Sequence, residues 1–500
     1  MSDTSPAEHK SPATAGRTIF KNALSVTLGN SALRVLNFAF GVFVVRHLGD
    51  DRFGQYAIVL AFVGLFHIFA ELGMSQYVMR EIARDRSRAP ALFWNLVVLR
   101  LALAIMGVVG ITWGAAAAGY APELVLGVFV YTLGFLLSAF EAPLHIVLSA
   151  WERLDYVAGL RVVGQLIFMI FGAIFLFSGL GFIWLIVAAH LGILPQIAGA
   201  VWIIKRQRLT ALPFQLDPRH WPRLIRSGIP FGIITLSLTI AFSIDSVMLS
   251  WYEPARVVGW YNVAYGLARS LLFFFGGFSV AIVPTLSRTY AHDTAQVERW
   301  YHRSVRFILL TSLPIAVGGM LVAFPLIRFL YTDEFLPSAL GLQILIWDVP
   351  LLMFTSFCGN MTTIVGEEHA AARIYTINAI ANVILNLYAI PRFGLVGAAL
   401  VTVVTDLIGA LQFHFLLRSK LHLPNMTSVL VRVLVASTLM GVAVGLASDL
   451  QLFILIGLGA VVYGGFALVL RLVDAAEWAT ILRLFRLRRA PQSVEKGTPS

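Results

Sequence analysis

Charge and cysteine are both scarce in this sequence. Charged residues make up 13% of the 500 residues, whereas an average soluble domain carries about 25%. The single cysteine, Cys358, lies in an apolar run, which excludes a disulfide framework and indicates a small core residue. With 58% hydrophobic residues, the chain is predicted to be an all-α polytopic membrane protein.

Motifs for covalent chemistry are also missing. The sequence contains no phosphate-binding loop, no zinc-ligand spacing and no Gly-x-Ser-x-Gly motif. We therefore predict no catalytic residue, no metal site and no cofactor. The N-terminus is polar as far as Thr18 and lacks a short apolar region with a cleavage site, so we expect no signal peptide and a first span that is retained.

Long apolar runs are abundant. They are continuously apolar over about 20 residues, as in membrane helices, whereas barrel strands alternate over about 10 residues. We predict about 14 transmembrane helices. The layout of residues 22–88 returns about 205 residues later, where Gly259-Trp-Tyr261 matches Gly54-Gln-Tyr56. This repeat predicts two pseudo-symmetric six-helix bundles plus two accessory C-terminal helices, which is typical of a transporter.

Six segments follow from these runs. They are a disordered cytoplasmic N-terminus (1–18), an N-terminal lobe with spans 1–6 (19–204), a cytoplasmic linker (205–226), a C-terminal lobe with spans 7–12 (227–418), two accessory spans (419–471) and a basic cytoplasmic tail (472–500). The start of the tail is predicted to form a basic amphipathic helix on the anionic inner leaflet.

The basic residues predict the orientation. Most of the 37 lysine and arginine residues fall on one side of the predicted spans. By the positive-inside rule this side is cytoplasmic, and both termini lie there. The net charge of +11 is then explained without a nucleic-acid partner. The opposite side receives Arg46, Arg52, Arg256, Arg328 and Arg392.

Three arginines lie inside predicted spans. Arg34 and Arg269 are near mid-membrane in spans 1 and 8, and Arg100 lies about nine residues into span 3. A cation at that depth costs several kcal/mol unless it faces a cavity or a partner. We interpret the three as lining a cationic cavity for an anionic ligand; the alternative is that they pair with carboxylates and hold helices together. Amides on the same helical faces are further candidate ligands: Asn30, Asn37 and Asn262.

Acidic and amide residues inside spans are weaker candidates. Asp245 and Asp406 are possible ion-coupling residues, although a structural role is favoured for each. Glu141 and His145, one turn apart, are expected to pair. Span 11 carries Asn378, Asn382 and Asn386 four residues apart. This stripe either lines the cavity or joins helices through amide hydrogen bonds; Asn378 and Asn382 are included among the candidate substrate ligands.

Several segments resemble those of one transporter family. They are Val45-Arg-His-Leu-Gly-Asp-Asp-Arg-Phe-Gly-Gln-Tyr, Glu71-Leu-Gly-Met-Ser-Gln-Tyr-Val-Met-Arg-Glu, Asp245-Ser-Val-Met-Leu with Val258-Gly-Trp-Tyr-Asn, Asp333-Glu-Phe-Leu-Pro-Ser-Ala, and Pro391-Arg-Phe-Gly-Leu-Val-Gly-Ala-Ala-Leu-Val-Thr402. In this order, over about residues 18–480, the sequence resembles bacterial polysaccharide-biosynthesis flippases of the multidrug/oligosaccharidyl-lipid/polysaccharide (MOP) exporter superfamily.

The resemblance implies translocation of polyprenyl-diphosphate-linked saccharides across the bacterial inner membrane by alternating access, with a polysaccharide polymerase and chain-length machinery as further partners. Guanidinium groups suit a diphosphate. One alternative is a multidrug or metabolite exporter of the same fold, but drug-exporting members usually carry acids in span 1, where this sequence has Arg34. A less favoured alternative is a membrane polymerase or ligase, which would need a large extracytoplasmic loop.

Overall fold

A computed structural model describes residues 12–272, 286–287, 290, 293–421, 423 and 425–472. Every regular element within these residues is helical, which confirms the all-α prediction. The helices of the first half are α1 (Pro12–Glu71), α2 (Met74–Arg84), α3 (Ala89–Ala117), α4 (Pro122–Ala150), α5 (Leu154–Phe177) and α6 (Phe182–Arg206). Those of the second half are α7 (Trp221–Tyr252), α8 (Ala255–Ser270), α9 (Thr294–Leu321), α10 (Ala323–Leu330), α11 (Ser338–Leu345), α12 (Asp348–Ile364), α13 (Glu368–Arg418), α14 (Thr427–Leu446) and α15 (Leu452–Val469).

The helices are membrane-spanning in length and composition. Among the described residues eight helices are long and apolar enough to cross a bilayer, or nine if α11 and α12, which meet at a bend of 42°, form one broken span. This count does not by itself establish the predicted number of 14. About 20 helical residues are enough to cross the ~30 Å hydrocarbon core of a bilayer. Two helices are much longer than this, since α1 has 60 residues and α13 has 51.

Each of the two long helices breaks at a glycine. Gly49 in α1 has φ 73° and Gly394 in α13 has φ 51°. Glycine adopts positive φ at little cost, so each helix changes direction there while its two arms remain helical. Both breaks fall within polar corners that the sequence predicts between spans, 46–56 and 391–394. The α-helical arms extend further into the corners than the sequence predicts.

The sequence repeat matches the corner around Gly54 with the corner around Gly259, and these two corners are in contact. A methyl group on Gly54 would lie 1.8 Å from the carbonyl oxygen of Ala255, and one on Gly259 would lie 2.6 Å from that of Asp50. We call this contact of Asp50, Gly54, Ala255 and Gly259 the corner seam. Beside it, the Arg46 guanidinium donates to the carbonyl oxygens of residues 329 and 330, each at 2.6 Å. The repeat thus brings one end of the two halves together.

Some boundaries differ from the predicted ones. Helix α1 already begins at Pro12, inside the segment predicted to be disordered, and α7 begins at Trp221, inside the predicted linker. The chain between α6 and α7 is held against α3, because the buried Asn95 side-chain oxygen accepts from the Asp217 amide at 3.1 Å and from the Trp221 indole at 3.0 Å. The end of predicted span 8 and the basic tail beyond Leu472 lie outside the described residues.

Candidate functional site

A cavity of about 300 Å³ lies between α1 and α8, where the two halves of the chain meet. Its polar lining comes from Asn37, Gln165 and Asn262, and Gly41 and Gly266 leave space along the facing helices. The Asn262 amide donates to Ser246 at 3.0 Å and to the Val258 carbonyl at 2.8 Å, which ties α8 to α7. Asn37 and Asn262 therefore share one cavity, as the sequence predicts for candidate ligands.

Arg269 lies on α8 one turn beyond Gly266, which lines the cavity, but Arg269 itself is not among the lining residues. Its guanidinium stacks over the Phe242 ring at 3.8 Å and lies 5.3 Å from the Tyr265 ring centre. Asp348 and Asp406 are neighbours of each other, and both lie close enough to Arg269 to interact with it electrostatically. Asp348 is buried, and one of its oxygens lacks a hydrogen-bond partner. Arg269 thus fits both interpretations of the intramembrane arginines, as a cation beside a cavity and as a partner of carboxylates.

The first-span candidates are only partly described. Arg34 is exposed on α1, one turn before Asn37 on the same helical face. The side chain of Asn30 lies outside the described residues. Arg34 is not among the residues lining the cavity between α1 and α8.

Asp245 forms the centre of a buried polar cluster that joins three helices. Its carboxylate accepts hydrogen bonds from the Tyr261 hydroxyl, the Thr402 hydroxyl and the Asn386 amide, each at 2.7 Å. Asn386 also donates to the Asn382 side-chain oxygen at 3.0 Å. The two asparagines therefore join α13 to α7 and α8, which favours the helix-joining alternative over substrate binding for Asn382.

The third amide of that stripe makes a different contact. Asn378 packs against Gly409 on the other arm of α13, where a methyl group would lie 2.6 Å from its amide nitrogen, and its buried side-chain oxygen has no hydrogen-bond partner. The amide stripe as a whole thus lies inside the second half. None of its three members lines the cavity between α1 and α8.

Arg100 belongs to a separate cluster inside the first half. It is only 3% exposed and donates to the Ser75 hydroxyl at 3.1 Å, with the Glu71 carboxylate at 3.8 Å. On α4, Glu141 pairs with His145 at 2.7 Å, which confirms the predicted pair. The structure thus places Arg100 away from the residues lining the cavity and favours its alternative role of holding α2 and α3 together.

An apolar groove of about 420 Å³ adjoins the cavity. It runs between α8, α9, α14 and α15, and Phe38 of α1 lines both spaces. Facing glycines, Gly318 and Gly319 of α9 and Gly459 of α15, keep it open. The two helices that the sequence predicts as accessory thus form one wall. Hydropathy could not predict that these two helices line a groove, because the same apolar residue types line grooves and face lipid.

Comparisons with known proteins match this architecture. Residues 19–290 match the family described as "Polysaccharide biosynthesis protein", and residues 230–388 match the family MatE. The probable low-salt glycan biosynthesis flippase Agl15 of Haloferax volcanii is 22% identical over 486 residues, which is 93% of this chain and 98% of that protein.

Two solved structures share the fold. A lipid II flippase MurJ in an inward closed conformation superposes with a TM-score of 0.74 at 18% identity, over 90% of this chain and 99% of that chain. An inward-facing multidrug resistance MATE family transporter of the MOP superfamily gives a TM-score of 0.65 at 18% identity, over 78% and 95%. At these identities the superpositions establish the fold alone.

Proposed function

The chain belongs to the polysaccharide biosynthesis protein family of the MOP superfamily, and on that premise we propose that it is a flippase for lipid-linked oligosaccharides. More specifically, its substrate is a polyprenyl-diphosphate-linked repeat unit for O-antigen or exopolysaccharide synthesis. Transport proceeds by alternating access across a bacterial inner membrane, with both termini in the cytoplasm. A polymerase and chain-length machinery then use the exported units.

One observation carries this proposal: a cavity with three amides in a mostly apolar lining, next to the helix turn that carries Arg269, adjoins an apolar groove. A lipid-linked glycan has a bulky polar head, an anionic diphosphate and a long apolar tail. The cavity offers amides to the head, Arg269 offers a guanidinium fork to the phosphate, and the groove of about 420 Å³ offers an apolar surface to the tail. Phe38 lines both spaces, so one amphiphile could occupy the two at once.

The names of related proteins support the same substrate class. Agl15 is a probable glycan biosynthesis flippase and MurJ is a lipid II flippase. The MatE match favours a second candidate, export of a drug or metabolite. Span 1 argues against a cationic drug, because it carries Arg34 and no carboxylate between residues 22 and 49.

Asp245 and Asp406 are the proposed ion-coupling residues. Carboxylate, amide and hydroxyl oxygens lie close together here, because the Thr402 hydroxyl bonds Asp245 and the Asn386 amide bonds both Asp245 and the Asn382 oxygen. The side-chain oxygen of Asn386 is buried without a partner. An oxygen-only ligand set suits a hard cation such as sodium. The neighbouring carboxyl groups of Asp348 and Asp406 can instead share a proton. We therefore propose that a sodium or proton gradient contributes to the driving force.

A reconstituted transport assay tests the proposal. Purified protein in vesicles should move a fluorescently labelled polyprenyl-diphosphate oligosaccharide between leaflets, and the double variant R34A/R269A should not. Arg432 is an exposed arginine on α14, outside cavity and groove, so R432A is the matched control. Full transport by a stable R34A/R269A variant would contradict the anionic-substrate proposal and favour the exporter.

A further inference from the structure

A separate pocket lies within the C-terminal half. It has a volume of about 370 Å³ and sits where α13 ends at Arg418 and α14 begins at Thr427. Small-molecule pockets usually measure roughly 300–1,000 Å³. None of its lining residues is shared with the cavity between α1 and α8 or with the apolar groove. It is therefore separate from the proposed path of the transported substrate.

The lining of this pocket is apolar at the base and basic at the mouth. Residues of α9 and α12, among them Val305, Leu309 and Phe354, form the apolar part. His414 and Arg418 lie one turn apart on the same face of α13 and form the basic part. No described residue that lines the pocket carries a carboxylate.

Among the described residues, Arg418 differs from the cations around it in having no ion-pair or hydrogen-bond partner. Lys420 pairs with Glu367 at 2.5 Å, and Arg306 donates to the Leu472 carbonyl at 2.6 Å. Within the described part of the chain Arg418 forms no ion pair and no hydrogen bond, and His414 makes only a ring contact with Phe415. A pocket with an arginine, an imidazole and no carboxylate of its own is suited to an anionic ligand.

We propose that this pocket binds a phosphate group, supplied either by the headgroup of an anionic phospholipid or by free phosphate. The Arg418 guanidinium can bind two phosphate oxygens at once. Asn425 and Thr427 also line the mouth and add amide and hydroxyl donors. The apolar base matches the glycerol and first acyl carbons of a lipid, which makes the phospholipid the favoured source. The proposal does not depend on which substrate the protein transports.

Lipid titration of the purified full-length protein tests this pocket. Native mass spectrometry would follow the binding of phosphatidylglycerol to wild type, R418A and R432A. Because charge-assisted hydrogen bonds are the strong ones, R418A should weaken binding roughly tenfold or more. R432A removes an exposed arginine from the same end of α14 without touching the pocket and should bind as wild type does.

A thermal-shift arm with inorganic phosphate distinguishes the two sources. Arg418-dependent binding of phosphatidylglycerol, without stabilisation by inorganic phosphate, supports a lipid headgroup site. Arg418-dependent stabilisation by inorganic phosphate, without preference for the lipid, supports a free-phosphate site. If neither ligand distinguishes wild type from R418A, or if R432A weakens binding as much as R418A does, the proposal is wrong.

A conservative variant covers the case in which R418A is unstable. R418K keeps the charge but loses the planar fork, so its affinity should lie between those of wild type and R418A, and native mass spectrometry reads only the folded fraction. R418K and the neutral variant R418Q should therefore differ from each other. Wild-type affinity in both would overturn the proposal.

Discussion

Each half of the molecule places an arginine near carboxylates, but the arginine is buried in the first half and half-buried in the second. In the first half Arg100 lies near Glu71 and bonds Ser75, while Glu141 has its own partner in His145. In the second half the single Arg269 serves the neighbouring pair Asp348 and Asp406, and it also stacks on aromatic rings beside the cavity.

This difference indicates which arginine holds helices together and which takes part in transport. The sequence pairs Arg34 with Arg269 as the charges of the two repeats, whereas the structure leaves Arg34 exposed and buries Arg100 in the first half. The first-half site is enclosed and nearly balanced, and a buried ion pair of that kind is weak evidence for either stability or function. The second-half site has more carboxylates than arginines and lies next to a cavity. We infer that the first site holds helices together and that the second takes part in transport.

The largest expected effect concerns Arg100. Changing Arg100 to alanine removes the bond to Ser75 and the partner of Glu71. Because the Glu71 side chain is 31% exposed, we expect the low end, about 3 kcal/mol, of the cost of breaking a buried pair. We expect a large loss of folded protein, measured by fluorescence-detected size-exclusion chromatography. Glu71→Gln in the same chain should restore part of it. Normal abundance with lost transport would instead place Arg100 in the transport path.

Arg269→Ala should reduce transport and leave the amount of folded protein nearly unchanged, the reverse of what we expect for Arg100→Ala. Transport of the lipid-linked oligosaccharide should fall about tenfold to a hundredfold, since each charge-assisted hydrogen bond is worth roughly 1.5–3 kcal/mol. Abundance should change little, because Arg269 is only half-buried, whereas Arg100 is almost fully buried. Arg269→Lys should retain part of the rate. A variant that unfolds, and that Asp348→Asn rescues, would make Arg269 a structural residue like Arg100.

The contrast also shows what could be predicted from sequence. Local and repeated features were predictable: Glu141 and His145 are one turn apart and pair, and Gly54 and Gly259 occupy matching corners that meet. Long-range partners were not. Asp245 bonds Asn386 and Thr402, which are 141 and 157 residues away. Hydropathy establishes which residues enter the membrane, but not how each helix is rotated about its axis.

A mutation in the corner seam tests whether the contact between the two repeats is needed for transport. Gly54→Ala places a methyl group 1.8 Å from the Ala255 carbonyl oxygen, so the backbones of α1 and α8 must separate. Overpacking of this kind costs about 1–3 kcal/mol, and it should shift the protein towards states in which the seam is open. Cysteine accessibility near the corner should rise and transport should fall. Gly110→Ala is the control, because nothing lies within 4 Å of its added methyl group.

Asp245→Asn tests whether the second half couples an ion. Asparagine keeps the size of the side chain but removes the charge, so the fold should persist while a cation loses its charged ligand. We expect the effect of a sodium or proton gradient on transport to shrink about fivefold or more, the low end of typical coupling energies. Vesicles with imposed gradients measure it. An unchanged gradient dependence in a D245N/D406N double variant would remove both residues from the coupling proposal.

The smallest expected effect concerns the connection between the halves. Asn95 accepts from the Asp217 amide and the Trp221 indole, so α3 holds the connecting segment to the first half. Asn95→Ala leaves those two donors to water, which costs about 1 kcal/mol where solvent can reach them. Transport should change little, but trypsin should cleave faster after the exposed residues Arg208 and Arg219. Asn360→Ala, which removes a single bond within α12, is the control. If both variants are cleaved at the wild-type rate, the segment is held by other contacts, such as the Trp94 bond to the Leu212 carbonyl at 3.0 Å.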